Sequence, residues 1–516
     1  MSNTDATLAR FNVLTTPWVP LLGQPPASVV ELWCGERDAA DLDWPRDDFK
    51  VFTRLLLSAL TQALFPAATT DELLGRLDTP FLRTMVDERV APVVDDFDLL
   101  PEGRPGFLQS TPRAGSDGAA RFVFGTQDLM LRAPVSAVSL GVAAVALFAE
   151  QAYAGGAGRG YGAGPGGQPG VMTLVDASTV RRSMWANTLA IDGNSPRDPP
   201  QPWTNREQPP RNRALIGLVE GLFFQPRAIW LEPAASVMCS FTGEAGPTVE
   251  LHGFLPKNAL DKDKSSLWLH PNAPMVLKTT GLAPVRLEPS QPTWTGLAQL
   301  LKPISKGDKR DPREGPARVL TQWRSLDVAK RERLNPRLQL LDYDRDKAIL
   351  RGVFYEAFPL TGGLENAVEK LRALSGVAVE AANQLSRALV AAHDDQQKRS
   401  GFAVADALAE FWRETEPAFL DWLTVAVRNG NEAELEAART SMLRTLRAVA
   451  TARFDAQVEL SEFDLRKQKL IAAARDRLRR NLSNLGVPVP QAVAKKAVTR
   501  KAKTQATSTK NKKEAR

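Results

Sequence analysis

Apolar residues recur with helical spacing throughout the last third of this chain. From Leu364 to Leu389, leucine, valine and alanine recur every three or four residues, which predicts a helix with one apolar face. Three further stretches with the same spacing follow before Gly486, separated by short connections. Four such helices predict a four-helix bundle over residues 361–486, with the leucine and aromatic stripes in its core.

The preceding residues have a different pattern, in which short β-type runs alternate with helical stretches and are interrupted by Pro and Gly. The runs from Phe11 to Leu22, from Val29 to Trp33 and from Val171 to Val175 predict strands. Apolar residues from Phe49 to Phe65 have the spacing of an amphipathic helix. The pattern predicts an α+β fold, with a large mixed N-terminal domain over residues 1–360 followed by the bundle.

Composition is that of an ordinary soluble globular protein, since 43% of the 516 residues are apolar. The two cysteines, Cys34 and Cys239, exclude a disulfide framework and an all-cysteine zinc site, and they fit a reducing cytoplasm. The longest apolar run, from Ala133 to Ala149, is shorter than the roughly 20 residues that span a bilayer. The first ten residues do not open a signal peptide. We therefore expect a cytoplasmic protein without a membrane segment.

Charge is concentrated in the C-terminal tail. Residues 487–516 contain nine Lys or Arg and one Glu, so the rest of the chain carries −1 of the net +7. The tail has the composition of a disordered segment. Two further basic stretches lie between Lys302 and Arg337, with eleven Lys or Arg, and between Arg466 and Arg480 in the fourth bundle helix. Each is either a solvated surface or a surface that contacts phosphates.

Arrangements of residues that carry catalysis are mostly absent from the sequence. His252, His270 and His393 are far apart and none belongs to an HExxH pattern, so structural or surface roles are expected. No phosphate-binding GxxxxGKS/T loop occurs. Adjacent carboxylates such as Asp95 and Asp96 do not face each other on a helix. The sequence predicts a protein that is not an enzyme.

A glycine-rich stretch, Gly155 to Gly170, has nine glycines among its sixteen residues. It follows an apolar helical segment from Leu140 to Phe148 and precedes the predicted strand at Val171. A dinucleotide-binding fold needs a strand where this chain has a helix, which argues against that ligand. Because glycine has no Cβ, its backbone can approach a ligand closely. The stretch is therefore either a flexible loop or a place where backbone contacts a ligand.

Several short sequences, here called the landmark sequences, occur in order along about residues 13–480. They are Trp18-Val19-Pro20, Pro45-Arg46-Asp47-Asp48, the glycine-rich stretch, Gly221-Leu222-Phe223-Phe224-Gln225-Pro226, Gly253-Phe254-Leu255, Leu267-Trp268-Leu269-His270-Pro271 and Pro292-Thr293-Trp294. With these sequences and a terminal bundle, the chain resembles the CasA family, the large subunits of the type I-E CRISPR surveillance complex Cascade.

The resemblance implies a noncatalytic DNA-recognition subunit without a cofactor. In this family the large subunit recognises a protospacer-adjacent motif (PAM) in double-stranded DNA, largely from the minor groove, and starts strand separation for R-loop formation. The guide RNA then reads the target by base pairing. The bundle helps to hold the displaced strand, and a separate helicase-nuclease is recruited in trans.

The implied partners are PAM-bearing double-stranded DNA, the guide RNA, the other Cascade subunits and the helicase-nuclease, with no membrane. Two alternatives stay open: a protein-only scaffold subunit of the complex, and a nuclease of the same antiviral pathway.

The family reads the PAM with three elements, of which the first is a glycine loop. It corresponds to Gly156, Gly158 and Gly160, with Arg159 among them as a possible phosphate contact. Its backbone can enter a narrow minor groove because no Cβ blocks it. The minor groove separates A·T from G·C poorly, so such a reader is expected to tolerate several PAMs.

The second element is a lysine finger that follows the Gly-Phe-Leu sequence. Lys257 is the first choice, and the alternatives are Asn258, Lys262 and Lys264. The resemblance also implies that a loop within residues 120–140 docks on the end of the guide RNA.

The third element is a wedge hairpin at residues 343–350. The family wedge is often glutamine followed by alanine, whereas Lys347 and Ala348 stand here, and Asp346 replaces a usual asparagine. A long lysine can still insert between strands, but it cannot supply the acceptor of an amide. Some relatives have cysteine pairs that suggest zinc. Only Cys239 remains of those here, so no metal is expected.

Overall fold

The computed structural model describes most of the chain. The described residues are 10–112, 137–153, 164–166, 170–191, 197–204, 216–234, 236–254, 268–279, 281–302, 311, 313–346, 349–392, 397–458 and 465–485. The tail predicted to be disordered, residues 487–516, lies outside them. The chain divides into two compact units, Met1–Arg372 with Val427–Asn429, and Ala373–Ala426 with Gly430–Arg516.

The first unit combines short helices with small antiparallel sheets. Its described helices are α1 (Val29–Cys34), α2 (Asp47–Leu64), α3 (Thr70–Asp78), α4 (Arg83–Val90), α5 (Leu140–Ala152), α6 (Val180–Ala186), α7 (Leu218–Leu222), α8 (Leu297–Leu301), α9 (Arg318–Ser325), α10 (Val328–Arg333) and α11 (Gly362–Asn366). This mixture confirms the predicted α+β fold.

The strands form two-stranded and three-stranded antiparallel sheets. They are β1 (Val19–Leu21), β2 (Gln24–Ala27), β3 (Val138–Ser139), β4 (Met172–Asp176), β5 (Ala228–Pro233), β6 (Thr248–Phe254), β7 (Met275–Lys278), β8 (Gly281–Pro284), β9 (Arg337–Asp346) and β10 (Ile349–Pro359). The sheet orders are β1-β2, β10-β9-β4, β3-β6-β5 and β7-β8.

Helix α2 is buried along almost its whole length, and it packs against α5, α6 and α7. Several of its buried polar side chains have hydrogen-bond partners. The indole Nε1 of Trp44 donates to the hydroxyl of Thr53 at 2.8 Å, and that of Trp33 donates to the hydroxyl of Thr61 at 2.9 Å. Buried polar groups with partners cost little, so α2 tolerates burial on more than its apolar face.

The prediction of a strand from Val29 to Trp33 is wrong, because these residues form helix α1. The side chain of Ser28 accepts a hydrogen bond from the N–H of Glu31 at 3.2 Å, and the Glu31 carboxylate accepts one from the N–H of Ser28 at 2.7 Å. This reciprocal capping box satisfies the first free N–H groups of a helix and outweighs the β preference of two valines.

The strand predicted from Phe11 to Leu22 is shorter in the structure, where only Val19–Leu21 forms β1. The side chain of Asn12 accepts from the N–H groups of Leu14 and Thr15 at 3.0 and 3.3 Å. Such local side-chain bonds turn the backbone and compete with a strand ladder.

The second unit contains the predicted bundle. Its helices are α12 (Val368–Ala392, of which the first residues belong to the first unit), α13 (Gln397–Val427), α14 (Glu432–Gln457) and α15 (Leu465–Ser483). Phe411, Phe419, Leu446, Phe454 and Leu478 are buried within it, as expected of a bundle core. The side-chain amides of Asn481 and Gln384 join α15 to α12 by a hydrogen bond of 2.7 Å.

Candidate nucleic-acid interface

A long hairpin of β9 and β10 carries the predicted wedge. Its strands pair as far as Asp346 opposite Ile349. Strand β4 pairs only with the first five residues of β9, Arg337–Leu341, so the other five of its ten residues continue past that partner. At the usual rise of a strand this extension is about 16 Å long. Lys347 and Ala348, which follow Asp346 in the sequence, lie outside the described residues.

Helix α2 contacts the hairpin just beyond the end of its pairing with β4. The ring of Tyr343 stacks on that of Phe52, with centroids 6.1 Å apart and planes inclined by 14°. The Tyr343 hydroxyl donates a hydrogen bond of 3.4 Å to Oδ2 of Asp48. Asp48 is buried and accepts from Nε of Arg46 at 3.0 Å. The extended part of the hairpin therefore has one apolar and one polar contact with α2.

Described residues on both sides of the glycine-rich stretch make close contacts with other parts of the first unit. At the end of α5, Glu150 forms an ion pair with Arg227, and the side chain of Gln151 accepts from the N–H of Arg227 at 3.1 Å. At the far end, a Cβ on Gly170 would lie 2.2 Å from the carbonyl oxygen of Val285. Only glycine fits so close to another backbone.

Trp268 is the first described residue after the segment predicted to carry the lysine finger, and several contacts hold it in place. The indole Nε1 donates to the carbonyl oxygen of Gly217 at 3.1 Å. The indole lies so close to α7 that a Cβ on Gly221 would be 2.1 Å from it. The main-chain N–H of Trp268 donates to the carbonyl oxygen of Pro165, in the glycine-rich stretch, at 3.3 Å. These contacts give a physical reason why Gly221 and Trp268 both occur in landmark sequences.

Tyr153 is the last described residue before the glycine-rich stretch. Its Oη lies 3.0 Å from Nε2 of His270 in a buried contact. The N–H of Asn272 donates to Nδ1 of His270 at 3.1 Å, so the proton of the neutral ring is on Nε2 and is donated to Tyr153. Burial lowers the pKa of His270 to about 3 and raises the pKa of Tyr153 well above its usual value. Both groups are therefore neutral near neutral pH, which gives His270 a structural role.

Asn272 attaches the same segment to β4, the strand that follows the glycine-rich stretch. Its carbonyl oxygen accepts from the N–H of Thr173 at 2.8 Å, and its side-chain amide donates to the carbonyl oxygen of Thr173 at 3.1 Å. The same amide donates to Oδ1 of Asn187 on the turn after α6 at 3.2 Å. Two independent sets of bonds thus connect the flanks of the glycine-rich stretch and the lysine segment.

The predicted site residues themselves fall almost entirely outside the described residues. Those are Gly156, Gly158, Arg159, Gly160, Lys257, Lys347 and Ala348, together with the alternatives Asn258, Lys262 and Lys264. For Asp346 the structure gives the backbone pairing with Ile349. Within the predicted guide-RNA-docking loop, residues 120–136 also lie outside.

The structure does bring the described flanks of the three predicted elements together. The hairpin residue Tyr343 contacts Phe52, and Phe52 contacts Tyr153 with ring centroids 5.1 Å apart. Tyr153 in turn bonds to His270, near Trp268. Tyr343 is the first residue of the predicted wedge hairpin, but no sequence signal indicated its contact with Phe52, because an aromatic residue at helical or strand spacing is typical of any core. The landmark residues Gly221 and Trp268 were the available signal.

Most of the basic residues described between Lys302 and Arg337 have internal partners. Lys302 pairs with Glu369 at 2.7 Å, and Arg313 pairs with Asp311 at 2.9 Å. Arg324 and Arg331 both pair with Glu365, at 3.1 and 3.2 Å. On α10, Lys330 and Arg333 are exposed and have no ion pair within the described residues. Much of this stretch is therefore used to hold the fold.

Helix α15 of the bundle has a different balance. Arg475 pairs with Asp455 of α14. Lys469, Arg477 and Arg479 are exposed and have no ion pair among the residues that the structure describes. This surface retains positive charge that phosphates can neutralise.

The described residues contain no group of three or more His, Cys, Asp and Glu side chains arranged to hold a metal. Cys239 is buried, and its Sγ accepts from the N–H groups of Ser139 and Thr242 at 3.3 and 3.4 Å. Among the helices described, none combines the length and the apolar character that crossing a membrane requires.

Comparison with known proteins places this fold in a family. A family model described as CRISPR-associated protein Cse1 matches residues 12–452, and the chain belongs to that family. The fold resembles the crystal structure of CasA from Thermus thermophilus, at 18% identity and a TM-score of 0.67 over 92% of this chain and 100% of that one.

Two further solved structures are similar. Cse1 from Thermobifida fusca has 16% identity and a TM-score of 0.68, over 92% of this chain and 97% of that one. A chain of a CRISPR RNA-guided surveillance complex has 18% identity and a TM-score of 0.64, over 91% of this chain and 99% of that one. At these identities the similarity shows a shared fold.

Proposed function

We propose that this chain is the noncatalytic large subunit of a type I-E CRISPR RNA-guided surveillance complex. In this role it recognises the PAM in double-stranded DNA, mainly through the minor groove, and initiates strand separation for R-loop formation. Membership of the Cse1 family and the fold shared with a chain of a surveillance complex support the assignment. The observation that carries it is the hairpin that extends past β4, next to the flanks of the glycine and lysine segments.

PAM reading is assigned to two segments. Gly156, Gly158 and Gly160 bring backbone N–H and carbonyl groups to the base edges of the minor groove, where a Cβ would collide. Arg159 and Lys257 supply positive charge, which a narrow minor groove attracts. The shared anchoring at Tyr153, Trp268 and Asn272 supports joint action of the two segments on one short piece of duplex.

Strand separation is assigned to Asp346, Lys347 and Ala348 at the end of the hairpin. An inserted side chain must offset the loss of base stacking, which costs a few kcal/mol per step. Contact of Lys347 with phosphates helps to offset this cost. The negative charge of Asp346 repels the phosphates of the DNA strand next to it. An extension fixed on α2 at Tyr343 supports the role of a wedge, because a wedge must resist being pushed back.

The remaining roles follow the same proposal. We assign residues 1–360 to PAM recognition and residues 361–486 to the bundle, whose basic helix α15 helps to hold the displaced strand. The proposed partners are target DNA, the guide RNA, the other subunits of the complex and a helicase-nuclease that is recruited in trans. The exposed cations of α15 support contact with a polyanion.

The test compares duplexes with and without a PAM, bound by the complex assembled with guide RNA. Lys347→Ala and Gly160→Asp should each reduce the preference for the PAM-bearing duplex, and pre-unwound target should rescue Lys347→Ala more than Gly160→Asp. Lys330→Ala, which removes an exposed charge from α10, controls for general electrostatics. Unchanged affinity in both site variants would rule out the site assignment.

The same experiment separates the alternatives. A protein-only scaffold subunit predicts that binding by the complex does not change when this chain's site residues are altered. A nuclease predicts metal-dependent cleavage of DNA by the purified chain, which the proposal excludes.

A further inference from the structure

Phe52 of α2 lies between the hairpin and the start of the glycine-rich stretch. Its ring centroid is 6.1 Å from that of Tyr343 on β9 and 5.1 Å from that of Tyr153. Phe52 and Tyr153 are both buried. In a densely packed interior, a side chain with such neighbours cannot shift without disturbing both of them.

Further contacts lead from Tyr153 to His270 and Trp268, which follow the Lys257 segment in the sequence. Tyr153 bonds to Nε2 of His270, and the His270 ring meets Trp268 edge to face at 5.4 Å. Tyr343, Phe52, Tyr153, His270 and Trp268 are called the aromatic row. The row starts on the hairpin and ends where Trp268 donates to the glycine-rich stretch.

Helix α2 gives the row a rigid base. Asp48 and Phe52 are four residues apart on this helix, so they lie on one face, and both contact Tyr343. Almost every residue of α2 is buried, including Asp48 and Phe52. The hairpin thus rests on a helix that the core holds on several sides.

We infer that Phe52 is a positioning residue that sets the place of the hairpin end relative to the glycine-rich stretch. Its consequence for DNA rests on the proposed function: PAM reading and strand separation then act at a fixed spacing on the duplex. Phe52 itself does not touch DNA in this scheme. It acts through Tyr343 on one side and Tyr153 on the other.

The first test measures the distance directly and does not depend on DNA. Spin labels are placed on the full chain at Ala157→Cys and Ala348→Cys, with Cys34→Ser and the buried Cys239 left in place. Phe52→Leu keeps the position apolar but removes the ring contacts, so the distance distribution should become broader or shift. Phe97→Leu is the matched control, because Phe97 is also buried between two aromatic rings, 5.1 Å from Phe107 and 5.3 Å from Trp203.

A second variant, Tyr343→Leu, keeps the test valid if Phe52→Leu does not fold. It removes the same stacking contact from the half-buried side. A distribution that matches the parent protein in the folded variants overturns the positioning role.

The second test uses the complex assembled with guide RNA and follows base unstacking beside the PAM with a fluorescent adenine analogue. Phe52→Leu should slow opening by roughly tenfold, as expected for a small misplacement of a working group, while binding to pre-unwound target stays at the parent level. Opening at the parent rate overturns the inference. A parent complex that shows no preference for PAM overturns the proposed function instead, and the distance measurement then decides the positioning role alone.

Discussion

The hydroxyl of Tyr153 lies 3.0 Å from Nε2 of His270, in a contact buried between two parts of the chain that are 117 positions apart. Asn272 occupies Nδ1 of the same ring with its N–H, so the imidazole has one defined tautomer. A neutral histidine of defined tautomer acts here as a structural connector. His270 links Tyr153, which precedes the glycine-rich stretch, to Asn272, which follows the segment predicted to carry the lysine finger.

Removing the acceptor of this bond should destabilise the first unit. In Tyr153→Phe the Nε2–H of His270 is left buried without a partner, which costs about 1–3 kcal/mol. Urea denaturation followed by tryptophan fluorescence measures the loss. Tyr343→Phe is the comparison, because its hydroxyl is bonded at the longer distance of 3.4 Å to Asp48 and its residue is only half-buried. Equal losses in both variants would contradict the role of the Tyr153 bond.

Acidification should weaken the fold through His270. Its pKa is lowered by burial to about 3 in the folded protein, from an ordinary value of 6.5. Between these values the unfolded chain binds a proton that the folded chain does not, so stability falls as pH falls. The slope from this one group is roughly 1.4 kcal/mol per pH unit, and the group adds no dependence above its ordinary pKa.

His270→Asn isolates this effect, because an asparagine oxygen can still accept from the N–H of Asn272. Urea midpoints measured at several pH values should fall less steeply for His270→Asn than for the parent protein. Carboxylates titrate in both proteins and cancel in the difference. Parallel pH profiles would show that His270 does not carry the predicted dependence.

Helix α1 should depend on its capping box. Ser28→Ala removes the side-chain acceptor of the Glu31 N–H and should lower the free energy of unfolding by about 1 kcal/mol. Ser28→Thr keeps an acceptor and should stay close to the parent protein. Urea denaturation of the three proteins checks this, and an alanine variant as stable as the threonine variant would contradict it.

The fold class and the bundle were accessible from the sequence, because long helices repeat their apolar spacing many times. From Leu364 to Leu389 the spacing is sustained for most of α12, and little else produces it. Short elements are harder, since Val29 to Trp33 is apolar enough for a strand or a helix. Here the decisive signal was Ser28 followed three residues later by Glu31, a local pattern that outweighs β propensity.

The candidate site was predicted through the resemblance, and its residues stay predictions. What the sequence could not supply is the long-range arrangement around them. Phe52, Tyr153 and Tyr343 are far apart in the sequence, and each has the spacing of an ordinary core residue. Only the folded structure shows that their rings are in contact. The landmark sequences were more informative. Gly221 and Trp268 both belong to them and are in close contact in the structure, although the sequence alone does not show that these two residues meet.

The contact between Gly221 and Trp268 can be tested by a single substitution. A methyl group at Gly221 would lie 2.1 Å from the indole of Trp268, far inside contact distance. Gly221→Ala should therefore displace the indole and lower the free energy of unfolding by about 1–3 kcal/mol, the usual cost of overpacking. Because Trp268 also bonds to Gly217 and Pro165, its displacement should weaken both contacts, and we expect trypsin to cleave faster at the lysines that precede Trp268 in the sequence.

Gly75→Ala provides the matched control. Gly75 lies inside α3, and a Cβ there has no neighbour within 4 Å. Alanine at such a position is expected to stabilise the helix by up to about 1 kcal/mol, since it restricts the unfolded chain and meets no obstacle. The two glycine-to-alanine variants should thus differ in the sign of their effect. If Gly221→Ala matches Gly75→Ala in urea midpoint and in the rate of trypsin cleavage, then the close packing of the Trp268 indole on α7 does not matter for the stability of this region.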